Sequence, residues 1–426
     1  MIQTEPLDRF AKHLPQGWRT AAFGDLLYEP VKNGVYKAKE FHGSGAKVVN
    51  MGELFAFDFI NGQEMKRVQL DDREASKYLL QSGDLLFARR SLVLEGSGKC
   101  SLVVGASEPT TFESSIIRAR PNPEEADSRF LLYLFQSPLG RAIMAAISTR
   151  TAVSGIRASD LADVGLPVPP LDEQRRIAGI LSAYDDLIEN CQRRIRILEV
   201  MARRLYREWF VHFRYPNHES IPLVESPLGP IPQGWEVKTV GESFEIIGGG
   251  TPSKTEPGFW DDGDIQWYSP RDLTAAGTMF IDDSVGHITP LGLAKSSARM
   301  FPAESVMLTS RATIGAVAIN TQPACTNQGF ITCLPNDQMP LFYLYNWVTE
   351  NVEQFDRLAS GATFKEISRG VFKTIDVLRP KESVVCRFEE LVEPACRQIL
   401  NLQRQTANLR RTRDLLLPRL IGSACE

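Results

Sequence analysis

The side chains with most to offer chemically gather in the second half of the chain. Gly248, Gly249 and Gly250 lead into Thr251-Pro252-Ser253-Lys254. Backbone free of side chains lets another molecule come close there, and the hydroxyls of Thr251 and Ser253 and the Lys254 ammonium can meet phosphate oxygens. After an apolar run come Tyr268, Ser269 and Arg271. The guanidinium fork matches the O6 and N7 edge of guanine; the competing use of Arg271 is a salt bridge with Asp272 or Asp264. Arg311 and Thr313 leave the end of an expected strand, a place where loops commonly carry function. Asn327 and Gln328 have the amide geometry that reads adenine, although an amide pair closing a turn is the commoner outcome. In the first half, Lys32, Asn33, Tyr36, Lys37 and Lys39 make a basic loop with an aromatic ring, and Arg89, Arg90 and Ser91 correspond to the Arg311 region. Solvated surface is the alternative for each loop. What these groups share is recognition of a polyanion by charge and hydrogen bonds, not bond making.

Other chemistries find little support. The seven cysteines stand at 100, 191, 325, 333, 386, 396 and 425 with no CxxC pair, which speaks against a disulfide framework or a structural zinc site. Five histidines include no HExxH arrangement, so metal and triad catalysis are not expected. Gly96-Ser97-Gly98-Lys99-Cys100 lacks the first glycine of a phosphate loop and has Cys where Ser or Thr belongs, so it reads as a turn. There is no NPPY-type motif and no GxGxxG. No apolar run approaches the roughly 20 residues that span a bilayer, and Met1–Phe10 carries Glu5, Asp8 and Arg9 where a secretory signal would be apolar. A soluble, cytoplasmic protein without membrane contact is expected.

The net charge of -4 is the wrong sign for a solitary nucleic-acid binder. Its distribution says more. Six arginines stand between Arg193 and Arg207 against one acid, Glu199, and five between Arg397 and Arg413 against none, whereas Asp261, Asp262, Asp264, Asp282 and Asp283 cluster elsewhere. A partner subunit that helps enclose the polyanion makes the overall sign tolerable.

The elements that must position these groups occur twice. Leu14-Pro15-Gln16-Gly17-Trp18 recurs as Ile231-Pro232-Gln233-Gly234-Trp235, and at nearly constant offset Leu86–Arg89 aligns with Leu308–Arg311, Pro121-Asn122 with Pro335-Asn336, Ser154-Gly155 with Ser360-Gly361, and Pro170 with Pro380. Each copy shows strands first, at Leu85–Ala88 and at Val306–Thr309 with Ile314–Ile319, then an apolar helix around Phe130–Phe135 and Leu341–Val348. Each copy ends in a heptad-like helix. The first stripe runs through Ile177, Ile180, Tyr184, Leu187, Cys191, Ile195, Leu198, Met201, Leu205 and Trp209. The second runs through Phe388, Leu391, Ala395, Ile399, Leu402, Thr406, Leu409, Arg413, Leu416 and Leu420, with Pro394 and Pro418 as interruptions. At ~1.5 Å per residue such helices are roughly 50 to 60 Å long. Pro216, Pro222, Pro227, Pro230 and Pro232 mark an extended linker.

The expected fold is therefore α+β: two tandem mixed α/β domains separated by two long antiparallel coiled-coil helices, with pseudo-two-fold symmetry. The boundaries are 1–170 for the first domain, 171–213 for the first long helix, 214–235 for the linker, 236–380 for the second domain and 381–426 for the second long helix. Two related but different readers on a helical ruler suit a bipartite, asymmetric target.

Taken together, Gly248–Lys254, Trp267–Leu273 (WYSPRDL), Thr309–Gly315 (TSRATIG), Pro167–Gln174 (PVPPLDEQ) and Leu205–Glu219 (LYREWFVHFRYPNHE) resemble the specificity subunits of type I restriction-modification systems, and the likeness spans nearly the whole chain. The first domain departs most from the family pattern. The resemblance implies a target-recognition subunit for double-stranded DNA that is not itself catalytic. It also implies two methyltransferase subunits docked on the helices and endonuclease subunits joining for cleavage. No cofactor is expected in this chain, while S-adenosylmethionine, ATP and Mg belong to those partners. The competing readings are a protein-only coiled-coil adaptor and a fused DNA methyltransferase or nuclease with unrecognised motifs.

Overall fold

The computed structural model describes residues 14–91, 96–105, 107–149, 154–361 and 364–422. Met1–Phe10, read above against a secretory signal, and Cys425 lie outside the described residues. The chain forms two compact units. The first takes Met1–Glu189 and Ala407–Glu426, the second Asn190–Thr406.

Both units are built on one plan. In the first, a five-stranded sheet has the order Leu27–Asn33, Ile116–Pro121, Leu85–Ala88, Cys100–Gly105, Phe59–Asn61; in the second the order is Ile246–Gly248, Phe330–Cys333, Val306–Thr309, Val317–Asn320, Phe280–Ile281. In each sheet only the last pair is parallel. A smaller sheet joins Arg67–Val68, His42–Val49 and Thr110–Phe112 in one unit and Gly286–Ile288, Ile265–Tyr268 and Ala324–Thr326 in the other. A two-stranded ribbon, Arg19–Ala22 with Gly165–Val168 or Glu236–Thr239 with Asp376–Arg379, then leads into the long helix. Partners, order and direction all agree, as the internal repeat predicts. The central strands Leu85–Ala88 and Val306–Thr309 are buried along their whole length, so their continuous apolar runs are what a strand covered on both faces requires.

Strand register corrects two of the repeat matches. Ala88 pairs with Ile116 as Thr309 pairs with Phe330, so Arg90, not Arg89, is the counterpart of Arg311. Likewise the bridges of Gly155 to Arg90 and Thr149 answer to those of Glu366 to Arg311 and Ser360; Ser154-Gly155 therefore does not correspond to Ser360-Gly361. The strand expected over Ile314–Ile319 begins only at Val317. Gly315 takes φ +100°, and Thr309 Oγ1 accepts the Ala316 N–H at 2.9 Å, closing a turn first.

The apolar helices Ser128–Gln136 and Leu341–Glu350 are core elements. Asp127 caps the first through the Phe130 N–H. The second is capped from a distance by Glu389, which accepts from the Phe342 and Tyr343 N–H groups at 2.8 and 3.1 Å. Burial outweighs these hydrogen bonds and pushes the Glu389 carboxyl up to about 7. Among the described residues no single helix is long and apolar enough to cross a membrane.

The long helices run over Leu171–Tyr206, continued by a π turn to Val211, and Glu382–Gly422. Pro394 and Pro418 do not interrupt the second, although each removes a backbone donor and crowds the carbonyl one turn earlier. In the first unit Ile177, Ala178 and Leu181 pack with Leu417 and Ile421. In the second, Ala202, Tyr206 and Trp209 pack with Val385, Phe388, Val392 and Ile399. Within each unit the start of one helix thus meets the end of the other, an antiparallel pairing. The expected stripes were partly out of phase. Leu187, Met201 and Leu391 are about half exposed, while the buried seam passes through Leu181, Asp185, Ile188, Ala202 and Val392. The Pro-rich linker is also folded: Leu223–Val224 pairs with Ile231–Pro232, and Tyr215 stacks on Trp235 at 5.2 Å in the second unit's core.

Candidate nucleic-acid interface

In the second unit several segments converge on the turn Asn327–Gly329. Asn327 Oδ1 accepts the Gly329 N–H at 2.8 Å, so this amide closes the turn, the commoner of its two expected roles. Gln328 stands exposed at the tip, and its Oε1 accepts from Thr251 Oγ1 at 2.7 Å. Ser310 donates its N–H to the Gly329 carbonyl at 2.8 Å, which brings Arg311 alongside. A Cβ at Gly329 would lie 3.5 Å from Pro270 and 3.7 Å from the Arg311 side chain, so the helix Pro270–Ala276, with Arg271 in its first turn, borders the same spot. The structure therefore brings Thr251, Gln328, Arg271 and Arg311 together from four separate stretches of sequence.

Their freedom differs. Arg271 is exposed, and among the described residues it makes no ion pair with Asp272, Asp264 or any other acid. Asp272 is occupied by the Ser269 N–H and hydroxyl and by the Val285 N–H. Arg311 Nε lies 3.5 Å from Glu366, and its guanidinium sits 6.0 Å from the Phe364 ring centre. Thr313 is exposed beside it, its N–H turned back to the Arg311 carbonyl. Lys254 is exposed, whereas Ser253 is bound into its own loop through Thr255 Oγ1 and the Trp260 indole.

Two expected contacts are corrected here. Tyr268 is fully buried in an apolar cluster, and among the described residues its hydroxyl has no hydrogen-bond partner. Burial, with Asp283 and Asp282 nearby, pushes that hydroxyl's pKa up, so it stays neutral and offers nothing to an outside ligand. Ser269 is an N-cap whose side chain is used by Asp272. The triple glycine is likewise an internal device. A Cβ at Gly249 would collide with the carbonyls of Asn327 and Thr326, one at Gly250 with Ser297, and one at Gly248 with the Arg369 guanidinium.

The first unit repeats this scaffold with other side chains at the tips. Gly34 abuts the Phe112 and Glu113 carbonyls as Gly249 abuts those of Thr326 and Asn327. The Asn50–Glu53 capping box stands where Ser269–Asp272 stands. Tyr36 consequently occupies the place of Thr251 and is 81% exposed. Arg90 is exposed without an ion pair among the described residues. Arg89 is half-buried against the Ser114 carbonyl at 3.5 Å, and Ser91 lies in the same short strand as Arg90. Asn33 and Lys39 are exposed. Lys32 and Lys37 are corrected: Lys32 is held by Glu29, and Lys37 is bound to Glu74 at 2.6 Å over the Phe41 ring. Both cations are already partnered inside the protein. Gly96–Cys100 is a turn, with Lys99 on Asp58 at 2.6 Å.

Sequence reasoning missed Arg369 and Phe364, whose only signal was the unusual glycine run on which Arg369 lies. Several of the helix arginines serve internal contacts. Arg404 pairs with Asp282 at 2.8 Å, its hydrogen bond holding that carboxyl below its usual range. Arg397 pairs with Glu304, and Arg203 and Arg207 with Glu350.

A duplicated scaffold that holds its backbone devices constant and varies its loop tips defines a two-fold recognition module. The chain belongs to the family described as type I restriction modification DNA specificity domain, which matches residues 15–199 and 232–383. It is 23% identical to the MjaIX specificity subunit of Methanocaldococcus jannaschii over 90% of this chain and 88% of that one. With the HindI specificity subunit of Haemophilus influenzae it shares 22% identity over 95% and 99% of the two chains. The S subunit of a type I system from M. genitalium has a similar fold, with a TM-score of 0.59 at 17% identity over 95% of this chain and 96% of that one.

Proposed function

We propose that this chain supplies the sequence choice of a type I restriction-modification assembly, each unit reading one half of a bipartite, asymmetric double-stranded DNA target. The observation that carries this reading is the pair of equivalent loop clusters. Gly34 and Gly249, and the two capping boxes, build the same support, yet one cluster shows Tyr36 and Arg90 and the other Thr251, Gln328, Arg271 and Arg311. Identical supports with different tips suit two different base sequences. Direct readers in this proposal are Arg271, Arg311, Gln328, Arg90 and Tyr36. Thr251, Lys254, Thr313, Asn33, Lys39, Arg89 and Ser91 border the duplex as positioning contacts to phosphates.

The chain performs no chemistry itself in this reading. Two methyltransferase subunits and endonuclease subunits provide it in the cytoplasm and hold the S-adenosylmethionine, ATP and Mg. The test is to assemble the chain with its methyltransferase and recover preferred duplexes from a random library. Two short determined segments separated by an undetermined spacer are expected. A single contiguous site, or no preference, refutes the proposal; methyl transfer by the isolated chain refutes the non-catalytic part.

A further inference from the structure

We infer that Arg369, with Arg311 beside it, reads a guanine in the half-site addressed by the second unit. This rests on the proposal that the loop clusters read bases, and it assigns a residue and a base that the proposal leaves open. Arg369 opens the short helix Arg369–Lys373 and is exposed. Its guanidinium lies against the backbone at Gly248, where a Cβ would stand 2.5 Å from Nη1 and 2.7 Å from Cζ. The glycine is a seat that fixes where the fork lies, and a seated fork loses less freedom on binding than a free one.

Arg369, Arg311, Gln328 and Ser310 line one open cavity of about 420 Å³. Its polar lining consists mostly of donors. Arginine has five N–H groups and no acceptor, and the Gln328 carbonyl already takes the Thr251 hydroxyl, which leaves its amide N–H groups outward. Glu366 is the one acid among the lining residues, and it sits at Arg311. Among the described residues Arg369 makes no ion pair. In the major groove guanine shows two adjacent acceptors for both arms of the fork and thymine only one, beside its methyl group, whereas adenine and cytosine each show a donor. A donor-lined slot satisfies both arms of the fork on guanine, leaves one arm unmatched on thymine and sets a donor against a donor on adenine or cytosine.

The first unit lacks this feature. Ile156 donates to Arg89 as Ile367 donates to Ser310, and the helix that follows begins with Ala158 where the other begins with Arg369. The guanine assigned to Arg369 therefore belongs to the second unit's half-site, and the first unit has no arginine at that position to read its counterpart.

The experiment uses the full chain assembled with its methyltransferase and a set of duplexes substituted at each target position. The wild-type assembly should require guanine at a position in one half-site, and R369A should lose that preference by about 5- to 150-fold at that position alone. R369K should not restore it, because an ammonium cannot form the fork. G248A keeps the arginine and its charge but displaces the guanidinium, a flexible end that moves without disturbing the core, so it should reproduce the loss. An even weakening on all duplexes by R369A marks a phosphate contact and overturns the inference, as does retained guanine preference in R369K or G248A. A wild-type assembly with no base preference defeats the proposed function as well; preference that survives R369A defeats this inference alone.

Discussion

Removing Arg413 should destabilise the first unit far more than removing an exposed helix arginine would. Asp185, 9% exposed, accepts from Arg413 Nη1 and from the Tyr133 hydroxyl, both at 2.5 Å. The pair ties the first long helix to the second inside one unit. R413M keeps the aliphatic bulk but strands a buried carboxylate, and breaking one side of a buried pair costs about 3–5 kcal/mol. D185A leaves Arg413 with Asp414 at 2.9 Å, a partly exposed cation that still has water and a partner, so its cost should be smaller, about 1–3 kcal/mol from the orphaned Tyr133 hydroxyl. The double variant D185A/R413M removes both charges and should recover much of the loss. For a unit of this size each 1 kcal/mol is about 2–4 °C, so R413M should melt roughly 6–20 °C below wild type, with the double variant well above it. Differential scanning calorimetry with the first unit's transition resolved provides the measurement. If the two single losses simply add, the helices are not joined through this pair and the reasoning is wrong.

Replacing Arg311 by Ala should leave stability within about 1 kcal/mol, because its pair with Glu366 is exposed on both sides. The same variant should cost about 1–3 kcal/mol of binding at one half-site in competition gel shifts; an equal loss at both half-sites would count against the assignment. Replacing Tyr36 and Arg90 by Ala should weaken the other half-site and spare the one that R311A affects. G249A should unfold or strongly destabilise the second unit, since its Cβ meets fixed carbonyls, whereas G258A, with open space around it, should be nearly silent in the same melts. The Glu389 carboxyl has its folded pKa raised from 4.5 to about 7. Its stabilising contribution is therefore full below about pH 4.5, falls as the pH rises to 7, and is constant above. Chemical denaturation across pH 4–8 should show that slope in wild type and lose it in E389Q.

The repeat, the order of elements and the two long helices were legible because they rest on apolar periodicity and on duplication, both of which survive in a single sequence. What misled was the seam. A pattern of large apolar residues selected Leu187, Met201 and Leu391, yet the helices close through Asp185, Ala202 and Val392. An aspartate reads as surface until the tyrosine and arginine that satisfy it, far away in sequence, are known. The Pro-rich stretch misled for a related reason. Proline forbids helix but does not forbid packing, and here aromatic stacking of Tyr215 on Trp235 holds the segment to the core.

The candidate site was legible at the level of loops and less so at the level of atoms. Residue type marked Arg271, Arg311 and Gln328 correctly as polar groups near a turn, but it could not tell a cation awaiting a ligand from one already paired. Lys32 and Lys37 read as part of a basic loop, and both are paired inside the protein, with Glu29 and Glu74. Reading the duplication through strand register instead of residue identity repairs part of this. Register moves the partner of Arg311 from Arg89 to Arg90, and of these two it is Arg90 that is exposed. The same comparison explains how one architecture can serve two target sequences. Gly34 and Gly249, with the two capping boxes, hold the loops in both units, while the exposed tips differ, among them Tyr36 against Thr251, Gly52 against Arg271 and Ala158 against Arg369. Those positions carry little folding energy, and exchanging them between units should transfer base preference without exchanging the fold.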